Sequence, residues 1–148
     1  MIDTVLPPAD HTTVQVIHVG RERQPVLVID NATGTLAAEP APAFVAQTAL
    51  TVVVAARGYP GTPVAGGAVG GIAAAEETGA TVFQAGTRAA GDTLVAAGGR
   101  VLAVTALGDG VAAAQAAAYR AVDALDVPDG FCRRDIGWRA VAREAVPD

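Results

Sequence analysis

Hydrophobic and polar positions fall into two regimes along the chain. Before residue 49 the apolar runs are short and broken by turn chemistry. Residues 14–19 (VQVIHV) and 25–29 (PVLVI) are β-rich, and the charged stretch 20–24 between them predicts a hairpin loop. Residues 1–12, with Pro7-Pro8, read as irregular, and 30–34 (DNATG) is turn chemistry in which short polar side chains bond back to the backbone. Pro40 and Pro42 mark a linker, so the chain is read as an N-terminal extension over 1–48 followed by a domain over 49–148.

From residue 49 the pattern is regular. Residues 50–56 predict a central strand, and 57–63 (RGYPGTP) a rigid loop turning at Pro60-Gly61. A glycine-rich run, 66–72, leads into one or two helical turns over 73–77, stopped by Thr78-Gly79. Residues 81–87 read as a strand. Residues 93–97 and 100–106 read as two more, joined into a hairpin across Gly98-Gly99. The clearest helix is 109–125, capped by Asp109, with Val111, Ala114, Ala118, Val122 and Leu125 at steps of three and four on one face. Pro128, Asp129 and Gly130 end it, and a last helical turn is expected over 138–143. Strands in the middle and a helix late predict an α+β fold, an antiparallel sheet with a helix on one side.

Composition narrows the function classes. The chain has 148 residues, 51% hydrophobic and 4% aromatic. Its mean hydropathy of +0.38 comes largely from alanine, and no apolar run approaches the ~20 residues of a spanning helix. No membrane association and no secretory leader are expected. One cysteine forms no internal disulfide, which fits a reducing compartment and a cytoplasmic location. A net charge of −5 is opposite to that of a general nucleic-acid binder. It leaves room for a local anion site.

The candidate chemistry is concentrated at the end. Residues 131–139 (FCRRDIGWR) hold three of the ten basic residues and the only tryptophan. Two readings stand for Arg133 and Arg134: ordinary surface charges, or forks of N–H donors presented to a phosphate by a packed segment. Ile136 and Trp138 are read as packing that segment down, and Asp135 as orienting one guanidinium or capping the final helical turn. The loop formed by Arg57, Gly58, Tyr59, Pro60 and Gly61 stands at the mouth of a strand, where a plain turn and the lining of a site or interface are both open. Cys132 reads as a half-buried structural cysteine. His11, His18 and one cysteine make a poor zinc set. The run 66–71 (GGAVGG) lacks both the lysine end of a P-loop and the spaced glycines of a dinucleotide fold, and reads as close backbone packing. No pair of groups supplies a general acid, a base or an activated nucleophile.

Several segments together carry a resemblance: 49–61 (ALTVVVAARGYPG), 81–87 (TVFQAGT), 98–105 (GGRVLAVT), 112–124 and 130–140 (GFCRRDIGWRA). They resemble, in order and spacing, the C-terminal domain of phosphoribosylamine–glycine ligase (glycinamide ribonucleotide synthetase), an ATP-grasp enzyme. The resemblance implies a small antiparallel barrel-like sheet with a packed helix, of the rudiment single hybrid type. It implies a part in joining 5-phosphoribosylamine to glycine with ATP, in purine biosynthesis, by completing the active-site wall. ATP and magnesium belong to the central domains of such enzymes, so no cofactor is expected on this chain alone. The implied partners are those ATP-grasp domains, or a ligase partner chain, and a phosphoribosyl substrate. By the same resemblance Arg133 and Arg134 hold the ribose 5-phosphate, and Arg57, Gly58, Tyr59, Pro60 and Gly61 face the rest of the enzyme. Asp135 and Gly137 act as supports, one fixing a guanidinium and the other allowing a tight turn. Residues 1–27 do not resemble the family, and 28–48 fit its linker only loosely. The alternative is a non-catalytic structural or interaction module derived from that domain.

Overall fold

The computed structural model describes residues 14–18, 25–30 and 45–145. The readings for 1–12, 20–24 and 31–34 and for Pro40 and Pro42 lie outside the described residues. The chain divides into two units, 1–45 and 46–148. In the first, β1 (Val14–His18) pairs antiparallel with β2 (Pro25–Asp30), in a register running from Val14 opposite Asp30 to His18 opposite Pro25.

In the second unit, strict alternation builds the central sheet. On β3 (Thr48–Ala56), Leu50, Val52 and Val54 are buried while Ala49, Thr51 and Val53 are exposed. One face of the strand therefore meets the core and the other meets solvent. The remaining elements follow as β4 (Ala68–Val69), α1 (Ile72–Glu77), β5 (Thr81–Gln84), β6 (Thr87–Ala90), β7 (Thr93–Ala96), β8 (Arg100–Gly108), α2 (Val111–Asp123), β9 (Gly130–Phe131) and α3 (Trp138–Glu144). They form a four-stranded sheet in the order β5-β8-β3-β9 and a three-stranded sheet in the order β4-β7-β6, with every pairing antiparallel. The α+β class with antiparallel sheets and packed helices is thus present.

The core lies between the four-stranded sheet and α2. Val52 stands opposite Val104, which also pairs with Val82. Against this row α2 lays Ala114, Ala118, Ala121 and Val122, the three alanines without exposed surface. A register shift between Val54 and Ala55 inserts an extra residue in β8. The bulge turns both Val101 and Leu102 inward, where simple alternation would bury only one of them. Among the described residues no helix is long and apolar enough to cross a membrane.

Three local expectations are corrected. The strand expected over 81–87 ends at Gln84, and a separate strand, β6, begins at Thr87 in the other sheet. Gly98-Gly99 does not close a hairpin. β7 pairs with β6 across Gly91-Asp92, while β8 pairs with β3 and β5. Instead the chain crosses between sheets at this point. Gly86 and Gly98 approach so closely that a Cβ on Gly86 would lie 2.9 Å from the Gly98 Cα and 2.6 Å from the Arg100 carbonyl oxygen. Asp109 does not cap the helix. Gly110 is the N-cap residue, α2 covers 111–123, and the capping carboxylate comes from the far end of the domain.

Candidate functional site

The two candidate segments meet at the C-terminal end of β3. Ala55 pairs with Phe131 and Ala56 with Gly130, so the arginine-bearing tail leaves directly beside the Arg57 loop. The Arg57 backbone N–H donates to the Asp129 carbonyl at 2.8 Å, and its guanidinium reaches the Asp129 carboxylate at 2.7 Å. Tyr59 folds over the backbone of Gly99, where a Cβ would lie 2.5 Å from its ring. The Tyr59-Pro60 peptide is cis, and Gly58 takes a φ of 91°. Arg57, Gly58, Tyr59, Pro60 and Gly61 are all exposed.

Beyond β9 the tail runs back along α2 and is tied to it once per turn. Asp123, Tyr119 and Gln115 stand at steps of four on the helix, so they share one face. Arg134 donates to the Asp123 carboxylate at 2.6 Å and places its guanidinium 5.5 Å from the Tyr119 ring centre. The Tyr119 hydroxyl donates to the Arg133 carbonyl at 2.8 Å and accepts the Ile136 N–H at 3.0 Å. The Gln115 amide donates to the Ile136 carbonyl at 2.6 Å. Gly137 then turns the chain with a φ of 81° (a conformation that disfavours a side chain) and starts α3. At the far end Glu144 accepts the backbone N–H groups of Val111 and Ala112 at 2.8 and 2.9 Å, closing the first turn of α2.

Asp135 grips Arg133 in a two-point contact: Nε donates at 2.9 Å and Nη2 at 2.6 Å. These bonds favour the charged forms, so Arg133 is pushed above its ordinary value and Asp135 is held below the usual carboxylate range. Asp123 raises Arg134 in the same way. Both arginine side chains remain largely exposed, at 71% and 61%, with further N–H donors beyond those in these pairs. Each guanidinium is thus held at part of its fork by one carboxylate, Asp135 or Asp123, and keeps its remaining N–H donors toward solvent.

Ile136 packs against the core, as read from the sequence. Trp138 does not: it is 54% exposed, with Arg139 stacked 5.2 Å from its ring. The tail is held down by polar bonds to α2, so the indole is not needed as an anchor. Cys132 is half-buried and lines a concavity of about 230 Å³ with Val54, Val122, Leu125 and Arg134. The glycine-rich run packs against acidic residues. A Cβ on Gly67 would meet Asp129 and one on Gly70 would meet Asp126, surroundings that repel a phosphate. Among the described residues no cluster of histidine, cysteine, aspartate and glutamate is able to hold a metal ion. Reading the sequence passed over Gln115, Tyr119, Asp123 and Glu144; a polar stripe at steps of four, flanking the alanine stripe of α2, was the available signal for the first three.

The family described as phosphoribosylglycinamide synthetase, C domain, matches residues 49–139, more than half of the chain. The chain belongs to this family. It is 60% identical over 98 residues to phosphoribosylamine–glycine ligase of Mesorhizobium japonicum, covering 66% of this chain and 23% of that protein. The ligase of Escherichia coli is 50% identical over 99 residues, covering 66% and 23%. The crystal structure of phosphoribosylamine–glycine ligase from Thermotoga maritima superimposes with a TM-score of 0.51 at 32% identity, over 60% of this chain and 21% of that one. The chain thus spans under a quarter of the length of these relatives. Arg57, Tyr59, Gln115, Tyr119, Asp123 and the Arg133–Asp135 pair all fall within the matched span, and Glu144 lies beyond it.

Proposed function

We propose that this chain acts as the C-terminal domain of a phosphoribosylamine–glycine ligase, where it helps to close the active site and holds the ribose 5-phosphate with Arg133 and Arg134. The observation that carries the reading is the family match over 49–139, with the arginine pair inside it. The pinned, exposed guanidiniums supply the chemistry that a phosphate monoester requires. In the implied reaction the amine of phosphoribosylamine is joined to the glycine carboxyl with ATP. This chain's part is binding and orientation: contacts to a remote phosphate hold the substrate while the bond forms elsewhere. Asp135 and Gly137 support the clamp, and the Arg57–Gly61 loop faces the rest of the enzyme. The two antiparallel sheets stand in this reading for the barrel-like fold of the family. The setting is cytoplasmic, and the partner is the ATP-grasp portion of the ligase. The chain alone turns over no ATP.

Calorimetry with ribose 5-phosphate tests the clamp. Weak, saturable binding is expected, and Arg133→Ala combined with Arg134→Ala lowers affinity by roughly tenfold or more, the scale of losing charge-assisted hydrogen bonds. Equal binding by the double variant refutes the assignment. Turnover of ATP, glycine and phosphoribosylamine by the purified chain refutes the dependence on other domains.

One observation favours a second reading, a non-catalytic interaction module. On the face of the sheet turned away from α2, Val53 is 39% exposed beside half-buried Ala103 and Phe83. A strict monomer by light scattering at high micromolar concentration counts against self-association through this face.

A further inference from the structure

Among the described residues, Tyr119 is the side chain that touches both ends of the arginine-bearing turn. One hydroxyl donates to the carbonyl of Arg133 and accepts the N–H of Ile136, which closes residues 133–136 into a fixed loop. The same ring lies beside the Arg134 guanidinium. The other bond from α2 to the loop backbone is that of the Gln115 amide to the Ile136 carbonyl, at one end only. Asp135 bonds Arg133 within the loop itself, and Asp123 holds only the tip of Arg134. Adjacent side chains leave the backbone in divergent directions, so the loop's conformation decides whether two neighbouring guanidiniums converge on one anion. A binding group must be held to within about 0.5 Å of its working position by residues that are themselves locked. Tyr119 is locked: it sits on the middle of a thirteen-residue helix and packs against the core.

We infer that Tyr119 is the positioning residue for the arginine pair, setting the backbone from which both guanidiniums reach a phosphate monoester without touching that ligand itself. The inference rests on the phosphate-clamp reading. Tyr119→Phe is the direct test, because it keeps the ring beside Arg134 and the packing against the core while deleting both hydroxyl bonds. Three quantities are measured on the wild-type and variant chains: affinity for ribose 5-phosphate by calorimetry, amide exchange of Ile136, and the Nε–H resonance of Arg134 at saturating ligand. The expected result is affinity roughly five- to tenfold lower, faster exchange at Ile136, and a smaller ligand-induced shift at Arg134. A role confined to stability leaves that shift at saturation unchanged. Gln115→Met removes the neighbouring bond to Ile136 while sparing Tyr119, and gives a smaller loss in the same direction. If the phenylalanine variant folds poorly, the test passes to the wild-type chain, where the Ile136 amide should be protected from exchange and more so with ribose 5-phosphate bound; an unprotected Ile136 amide overturns the inference. Equal affinity in wild type and Tyr119→Phe overturns the inference and leaves the clamp standing. No binding by the wild-type chain overturns the clamp, and the inference falls with it.

Discussion

The two faces of α2 hold their neighbours by different physics. The inner face presents Ala114, Ala118, Ala121 and Val122 to β3 and β8, and none of these contacts is a hydrogen bond between side chains. Its attraction comes from apolar area removed from water and from close packing, which are non-directional and depend on volume. The outer face presents Gln115, Tyr119 and Asp123 to the tail, and each contact is a directed bond of 2.6 to 3.0 Å. Such bonds add modest net stability, because water competes for the same groups, but they fix orientation. The inner face therefore decides whether the domain folds, and the outer face decides where the arginines point. Substitutions should separate stability from binding along this line.

The largest effects belong to the inner side. Leu102 has no exposed surface and is, among the described residues, the largest fully buried side chain. Leu102→Ala should cost about 2–5 kcal/mol in a urea titration, with the anion affinity of the folded fraction unchanged. A parallel loss of affinity would break the separation. Next in size is Ala118→Leu. The alanine lies without exposed surface between helix and sheet, so the added carbons must push α2 away, at about 1–3 kcal/mol. A neutral outcome would mean that the helix floats above the sheet with room to spare.

The same division explains what was legible in the sequence. The inner face follows from periodicity, since burial repeats with the geometry of helix and strand. Val111, Ala114, Ala118 and Val122 were readable for that reason, and β3 was readable as a central strand. Pairing across distance was not readable in the same way. Gly98-Gly99 has the composition of a hairpin turn, yet it serves a crossing between sheets, because the partner of β8 is decided by β3, more than forty residues away in the chain. The bulge at Val101 leaves no local mark either. Arg133, Arg134 and Asp135 stood out through their composition, and the family resemblance gave them a role. Their attachment to Gln115 and Tyr119 depends on how the tail folds back. Trp138 was misjudged because a lone tryptophan usually anchors a segment, whereas polar bonds already anchor this one.

The smallest effect tests the far end of the outer face. Glu144 accepts two backbone N–H groups of α2, and these bonds hold its carboxyl below the usual range. A lowered folded value means that its contribution is complete above the unfolded value of about 4.3 and is lost as pH falls through the folded one. Glu144→Gln keeps the shape but loses the charge and turns one acceptor into a donor. Its Tm should lie below that of wild type at pH 7, and the gap should close as pH drops below about 4. Asp135 is lowered too, by Arg133, so acid titration of the wild type alone mixes two carboxylates. Subtracting the variant's curve isolates Glu144, because both chains keep Asp135. A gap that stays constant from pH 7 to pH 3 would show that the carboxylate does not cap α2. Ribose 5-phosphate affinity at neutral pH should be unchanged by this substitution, because the Tyr119 and Gln115 bonds stand between Glu144 and the arginines. If it falls together with Tm, the whole outer face of α2 behaves as one unit, and the loop 133–136 is not set by Tyr119 alone.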